Sequence, residues 1–306
     1  MQTTIRNRVS FDGVGLHSGR PVALSICPAP VDHGIVFYRR DVAAFARALP
    51  ARWDKVAQSP LCTKLVNEHG IELATVEHVM AALAGCGVHN AIIEVDGPEA
   101  PILDGSSAAF VLGILETGTQ AQGKPVTALR VLRTVEVTRG PATARLSPHE
   151  TLLLEFDIEF EDAAIGHQRK ILNMSNGSFV RELSNSRTFC RMADVDAMRA
   201  NGLALGGTFE NAVVVDGSRV LSPGGLRHRD EAVRHKMLDA LGDLGLAGYP
   251  VLGHYQGRRA GHALTNELLR SLFADPANYA LVECDKRMEN KLPGAGVHLG
   301  EMPKVA

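Results

Sequence analysis

Nine residues in the last third of the chain, His235-Lys-Met-Leu-Asp239-Ala-Leu-Gly-Asp243, constrain its fold more than any other stretch. They lie in a segment, roughly 230–244, whose apolar spacing predicts the strongest helix in the sequence. On a helix, positions i, i+4 and i+8 share nearly one face, so His235, Asp239 and Asp243 form a polar stripe. Met237, Leu238, Ala240 and Leu241 surround that stripe with apolar surface. Charge turned unpaired toward a core is costly. A metal ion resolves the conflict, because His and Asp four residues apart can reach one cation. Taken alone, the stretch also reads as a surface helix carrying a His–Asp pair.

The stretch has an echo. Val76-Glu-His78-Val-Met80, with Gly85 five residues on, matches Val233-Arg-His235-Lys-Met237 with Gly242, an offset of 157 residues (235 − 78). Such a repeat suggests duplication and two histidines on equivalent helices. The flanking patterns agree with it. Alternating residues predict strands at 3–9, 22–29 and 34–40. A helix over 75–84, capped by Thr75 and ended by Gly85, precedes a strand at 90–97, a loop at 98–105 and a helix at 106–115. The stretch 116–125 reads as a linker. Strands then recur within 126–140, 143–148 and 151–160, followed by a helical region at 190–201 and a strand at 211–217. After the helix at 230–244 come a strand at 251–261 and a helix at 263–273. Strands followed by helices, twice over, predict an α+β fold of two similar two-layer sandwiches, residues 1–125 and 126–306, packed together.

Glu77 precedes His78, and side chains one apart on a helix diverge by about 100°, yet both can flank a metal at a helix terminus or cleft. A zinc hydrolase needs three protein ligands, an open position for water and a nearby base. His78, His235 and Asp239 would supply the ligands and Glu77 the base. His262, in Gly261-His262-Ala263 at a strand-to-helix junction, could act as a general acid or cationic stabiliser, or simply as a cap or surface residue. The glycine-rich Gly13-Val-Gly15-Leu-His17-Ser-Gly19 is no dinucleotide fingerprint: no helix follows it and its spacing is wrong. It reads as a turn requiring positive φ.

The formal net charge of −2 provides no basic field for nucleic acid. The cluster Arg227, Arg229, Arg234 and Lys236 is open to two readings, a phosphate contact or a solvated helix face. Five widely spaced cysteines without a C-x-x-C argue against a disulfide framework and a thiolate zinc site, and suit a reducing compartment. The first residues lack the apolar core of a secretory signal, and no run approaches a membrane span, so a cytoplasmic protein is expected.

At these residues the sequence resembles the UDP-3-O-acyl-N-acetylglucosamine deacetylase family, which acts at the committed step of lipid A synthesis in Gram-negative bacteria. The carriers are Gly13–Gly19, Thr75-Val-Glu-His-Val through Asp104-Gly-Ser106, Ser186-Arg-Thr-Phe189, Val233–Asp243 and Gly261-His-Ala-Leu264, in order along essentially the whole chain. The resemblance implies one catalytic zinc between two α+β sandwiches, held by His78, His235 and Asp239. It implies Glu77 as general base, His262 as cationic acid, Asp243 as the residue holding that histidine, and Thr188 as a hydroxyl beside the reacting carbonyl. Phe189 matches an aromatic contact to the sugar and Lys236 a substrate-binding cation. An apolar passage for the fatty acyl chain matches Val195, Ala204, Phe209 and Val214, which read individually as ordinary core residues. The implied substrate is a small UDP-sugar bearing an acyl chain, and a monomer is expected. A His₂Asp donor set also accepts iron(II). His89 stands where the family commonly has an acidic residue. Cys62 matches a position near the metal, either as a thiol able to bind excess zinc or as an inert buried cysteine. The residues alone leave room for a zinc hydrolase of another amide, and for a non-catalytic sugar-nucleotide or RNA-binding module.

Overall fold

The computed structural model describes residues 1–59 and 61–303. It is a mixed α+β structure built around two large sheets. The first is five-stranded, in the order Val9–Val14, Pro21–Pro28, Ala91–Val95, Ile35–Arg39, Ala48–Pro50. Its Ile35–Arg39 and Ala91–Val95 strands run parallel and the other neighbours antiparallel. The second sheet has seven strands, with Val251–Arg258 at its centre. That strand pairs with Ala142–Ser147, Leu152–Glu159 and Thr127–Val131. The glycines it carries make room: a Cβ at Gly257 would strike the Phe156 ring at 2.7 Å.

Helices α1 (Glu77–Gly85), α2 (Ala108–Thr117), α3 (Met192–Ala200), α4 (Glu231–Gly245), α5 (His262–Phe273) and α6 (Lys286–Glu289) complete the described structure with short 3₁₀ and π turns. Helix α4 packs on Leu152–Glu159, and α5 on Val135–Arg139 and Ala142–Ser147, so both cover the second sheet. Helix α2 packs on Val9–Val14 of the first. Helices α1 and α4, the two that carry the sequence echo, lie against each other. Gly242 explains how closely: a Cβ there would sit 2.1 Å from the Glu77 carbonyl oxygen and 3.2 Å from the Ala81 nitrogen. Nearly all of α1 is buried, from Glu77 to Leu83. One core cluster joins both sheets through Val79, Met80, Leu83, Met237, Leu238 and Leu241.

Two details correct the expectations above. Thr75 does not cap α1; the N-cap is Val76, with no side-chain cap. Thr75 instead adopts φ 59°, and its hydroxyl donates to Glu99. The stretch 116–125 is not wholly linker, because Thr119–Ala121 pairs antiparallel with Thr3–Ile5. Of the three glycines in Gly13–Gly19, only Gly19 takes positive φ.

Between the sheets' own strands lies a smaller unit. Phe189–Arg191 and Val213–Asp216 are parallel and are joined through α3, as a parallel pair requires a crossover. Helix α3 buries none of its residues fully, and Met192, Leu205 and Phe209 are exposed.

Candidate active site and metal centre

The α1–α4 contact sets the site. Each helix turns polar side chains toward the other in an otherwise apolar interface, and Glu77, His78, His235, Asp239 and Asp243 are all at most 4% exposed. One ligand atom each from His78, His235 and Asp239 lies within 4.8 Å of the others, the one such His/Cys/Asp/Glu group among the described residues. The two imidazoles meet edge-on with centroids 5.0 Å apart. His235 Nδ1 is 3.0 Å from the Ser186 carbonyl oxygen, and donation there leaves Nε2 as a lone-pair donor facing Asp239 Oδ1 at 3.2 Å. His78 Nε2 is 3.7 Å from the same oxygen.

The donors fit a divalent cation. Asp239 Oδ1, the atom both imidazole Nε2 atoms face, is buried without a hydrogen-bond partner, a costly state in a protein interior. Burial pushes the His78 imidazole down to about 3, assisted by His235, so the ring is neutral. Burial likewise lowers His235. Burial opposes ionisation of Asp239, but His235, Lys236 and His262 overcome it and hold the carboxyl well below the usual carboxylate range. Two neutral imidazoles and one carboxylate are the protonation states that ligation needs.

Beside the trio stand a carboxyl and an imidazole with opposed electrostatic surroundings. Glu77 Oε2 accepts the Thr63 N–H at 3.0 Å. Burial pushes the Glu77 carboxyl up to about 7 against the pull of His262, with Asp239 and Asp243 adding to the rise. His262 begins α5, and its Nδ1 lies 2.9 Å from Asp243 Oδ2. Its Nε2 is 3.9 Å from Glu77 Oε1 and 3.8 Å from Asp239 Oδ2. Burial disfavours its charge, yet Asp243, Asp239 and Glu77 outweigh that and raise the imidazole to about 9. Opposed environments of this kind separate a general base from a general acid.

The remaining sequence-derived residues spread outward. Thr188 is half-buried; its N–H donates to the Gly105 carbonyl at 2.7 Å, and its hydroxyl bonds to no other described residue. The Phe189 ring stands edge-on to His235, centroids 6.3 Å apart. Lys236 Nζ reaches Asp239 Oδ2 at 2.9 Å, so this cation is engaged at the cluster. Val214 is buried, Val195 and Ala204 are half-buried, and Phe209 is 43% exposed, so these are not uniformly core residues. Of the basic cluster, Arg227 pairs with Asp104, and Arg234 with Asp230 and Glu182. His89 lies outside the metal group and meets the Thr3 hydroxyl at 2.9 Å. Cys62 also lies outside it; burial and the Glu77 carboxylate push its thiol up to about 11, keeping it protonated.

Sequence reasoning missed the supports. Thr63 holds both Glu77 and Asp243, the latter through its hydroxyl. Ser186 fixes the His235 tautomer, and a buried Arg187–Glu231 pair at 2.9 Å ties the Ser186–Phe189 segment to the first turn of α4. Glu231 stands four residues before His235, and that spacing was the one available signal.

Comparison with known proteins adds an independent line. The family described as UDP-3-O-acyl N-acetylglycosamine deacetylase matches residues 2–274. A UDP-3-O-acyl-N-acetylglucosamine deacetylase of Shewanella sp. (strain W3-18-1) is 46% identical over 290 residues, 94% of each chain. One from Shewanella baltica (strain OS155) is 45% identical over 302 residues, 97% of this chain and 98% of its own.

Proposed function

The chain belongs to the UDP-3-O-acyl N-acetylglycosamine deacetylase family, and from that premise we propose that it hydrolyses UDP-3-O-acyl-N-acetylglucosamine to acetate and the free amine. The reaction is the committed step of lipid A biosynthesis. The single observation that carries the chemistry is the buried His78–His235–Asp239 trio with an unpartnered Asp239 oxygen.

We assign the trio to one zinc ion. Held by His78, His235 and Asp239, such an ion would supply Lewis-acid chemistry, polarising the amide carbonyl and acidifying a water. Glu77 is the general base: its carboxylate takes a proton from the water that attacks the acetamide carbon. The Thr188 hydroxyl donates to the oxyanion that develops on the former carbonyl. His262, kept cationic by Asp243, gives its proton to the departing amine, so the C–N bond breaks as acetate forms. The proton on Glu77 then returns His262 to its charged state through solvent. Lys236 and Phe189 are assigned to the sugar nucleotide. Val195, Ala204, Phe209 and Val214 are assigned to the acyl chain, which the exposed apolar surface of the α3 unit suits.

We further propose two domains, 1–125 and 126–306, on the ground that every described strand up to Ala121 pairs only with others of that stretch, and every one from Thr127 on pairs only with others from Thr127 on. A monomer is proposed because the whole trio comes from one chain. A cytoplasmic location is proposed because five free cysteines suit a reducing compartment. No helix among the described residues is long and apolar enough to cross a membrane.

The test is metal analysis of protein purified without added metal, beside turnover of the acetylated sugar nucleotide with and without chelator. One zinc or iron(II) per chain, lost in His235→Ala together with turnover, is the expected result. An active enzyme without metal would overturn the assignment.

A further inference from the structure

Glu99 is a buried carboxylate, 3% exposed, with no cation paired to it among the described residues. Its charge is met by hydrogen bonds. Oε1 accepts the His17 N–H at 2.8 Å and the Thr75 hydroxyl at 2.9 Å, and Oε2 accepts the Ser18 N–H at 2.8 Å. The turn closes directly over the carboxylate, since a Cβ at Gly15 would stand 2.3 Å from Oε2. On its other side the same turn is joined to the segment that follows α3. The Leu205 N–H donates to the His17 carbonyl at 3.1 Å, and the Gly206 N–H to the Leu16 carbonyl at 3.0 Å. There is no room for a side chain at that seam: a Cβ at Gly206 would lie 2.3 Å from the Gly15 carbonyl oxygen.

We propose that Glu99 is a positioning residue for acyl-chain recognition: it locks the Gly15–Gly19 turn, and that turn clasps Leu205 and Gly206 so that the α3 unit is held beside the active site. The inference rests on the deacetylase reading. It explains why a glycine-rich turn remote in sequence from every reacting group ends in contact with a unit whose helix buries none of its residues and which exposes Met192, Leu205 and Phe209.

Two variants test it. Glu99→Gln sets an amide N–H₂ against a backbone N–H donor and loosens the turn from below. Gly206→Ala forces the seam apart from above without touching Glu99. Each is assayed on the UDP-sugar with a long 3-O-acyl chain and on its 3-O-acetyl counterpart, with hydrogen exchange read at the Leu205 and Gly206 amides. In both variants KM for the long-chain substrate should rise on the order of tenfold, while kcat and metal content hold and the short-chain KM moves little. The two amides should exchange faster while α1 and α4 stay protected. Parallel changes on both substrates, an unchanged KM, or retained amide protection would overturn the proposal. If Glu99→Gln fails to fold, Gly206→Ala carries the test. A wild type inactive on both substrates would sink the deacetylase reading and the acyl role together, and exchange would then judge the clasp by itself.

Discussion

Gly242→Ala should damage the metal centre without touching a ligand. The added Cβ would lie 2.1 Å from the Glu77 carbonyl oxygen, where real Cβ contacts do not fall below 3.0 Å. The obstacle is helix backbone, which cannot rotate away, so α1 and α4 must separate by about 1 Å at this level. Metal–ligand distances tolerate roughly 0.2 Å, so His78 can no longer share a cation with His235 and Asp239 in good geometry. Overpacking of this kind costs about 1–3 kcal/mol, offset by up to about 1 kcal/mol from the better helix propensity of alanine. The expected outcome is a net loss of about 1–2 kcal/mol in urea denaturation of the metal-free protein. Metal affinity, read by competition with a chromophoric chelator, should fall at least about tenfold. Gly245→Ala is the control: it lies on the same helix, and its Cβ meets only the flexible end of Met80 at 3.3 Å. Equal metal affinity and stability in Gly242→Ala and wild type would refute the view that helix proximity builds the site.

Glu77→Gln should retain full metal occupancy while kcat drops by about 10²–10⁴; a variant with wild-type turnover would remove Glu77 from the base role. The pH profile of kcat/KM should be a bell, rising as Glu77 ionises and falling as His262 loses its proton. Those carboxyl and imidazole groups stand at about 7 and about 9, and a bound dication pulls both lower, so limbs above these values would contradict the assignment. His89, held down to about 4 by burial, bears on stability. The unfolded chain binds a proton near the ordinary value of 6.5 that the folded chain refuses until about 4, so stability is intact above 6.5 and declines below it. The loss reaches up to about 3 kcal/mol near pH 4, and His89→Gln should flatten that slope in denaturation series between pH 7 and roughly 4.

The parts of the site legible in the sequence are those written in local periodicity. The stripe of His235, Asp239 and Asp243 follows from helical spacing alone, and the structure buries all three residues. Pairing that depends on distant chain is not so written. His167–Asn173 was missed because it is an edge strand whose residues alternate only between exposed and half-buried, leaving no apolar rhythm. Thr119–Ala121 joins its sheet through a partner more than a hundred residues away. Thr75 carries a good capping residue type in a good position, yet Glu99 competes for its hydroxyl and draws its backbone into the left-handed region. Glu99 itself sits in a loop where nothing local marks it. The family resemblance, not spacing, pointed to Thr188, Phe189 and the residues proposed for the acyl chain.

The 157-residue separation of His78 and His235 bears on synthesis as well as catalysis. A nascent chain that has released only its first sheet carries one of the two imidazoles proposed to hold the ion and lacks both His235 and Asp239. Tight capture of the ion must wait until α4 has docked, near the end of translation. On the proposed ligand set, occupancy therefore reports completed assembly, because a product truncated before α4 has only His78 of the three donors.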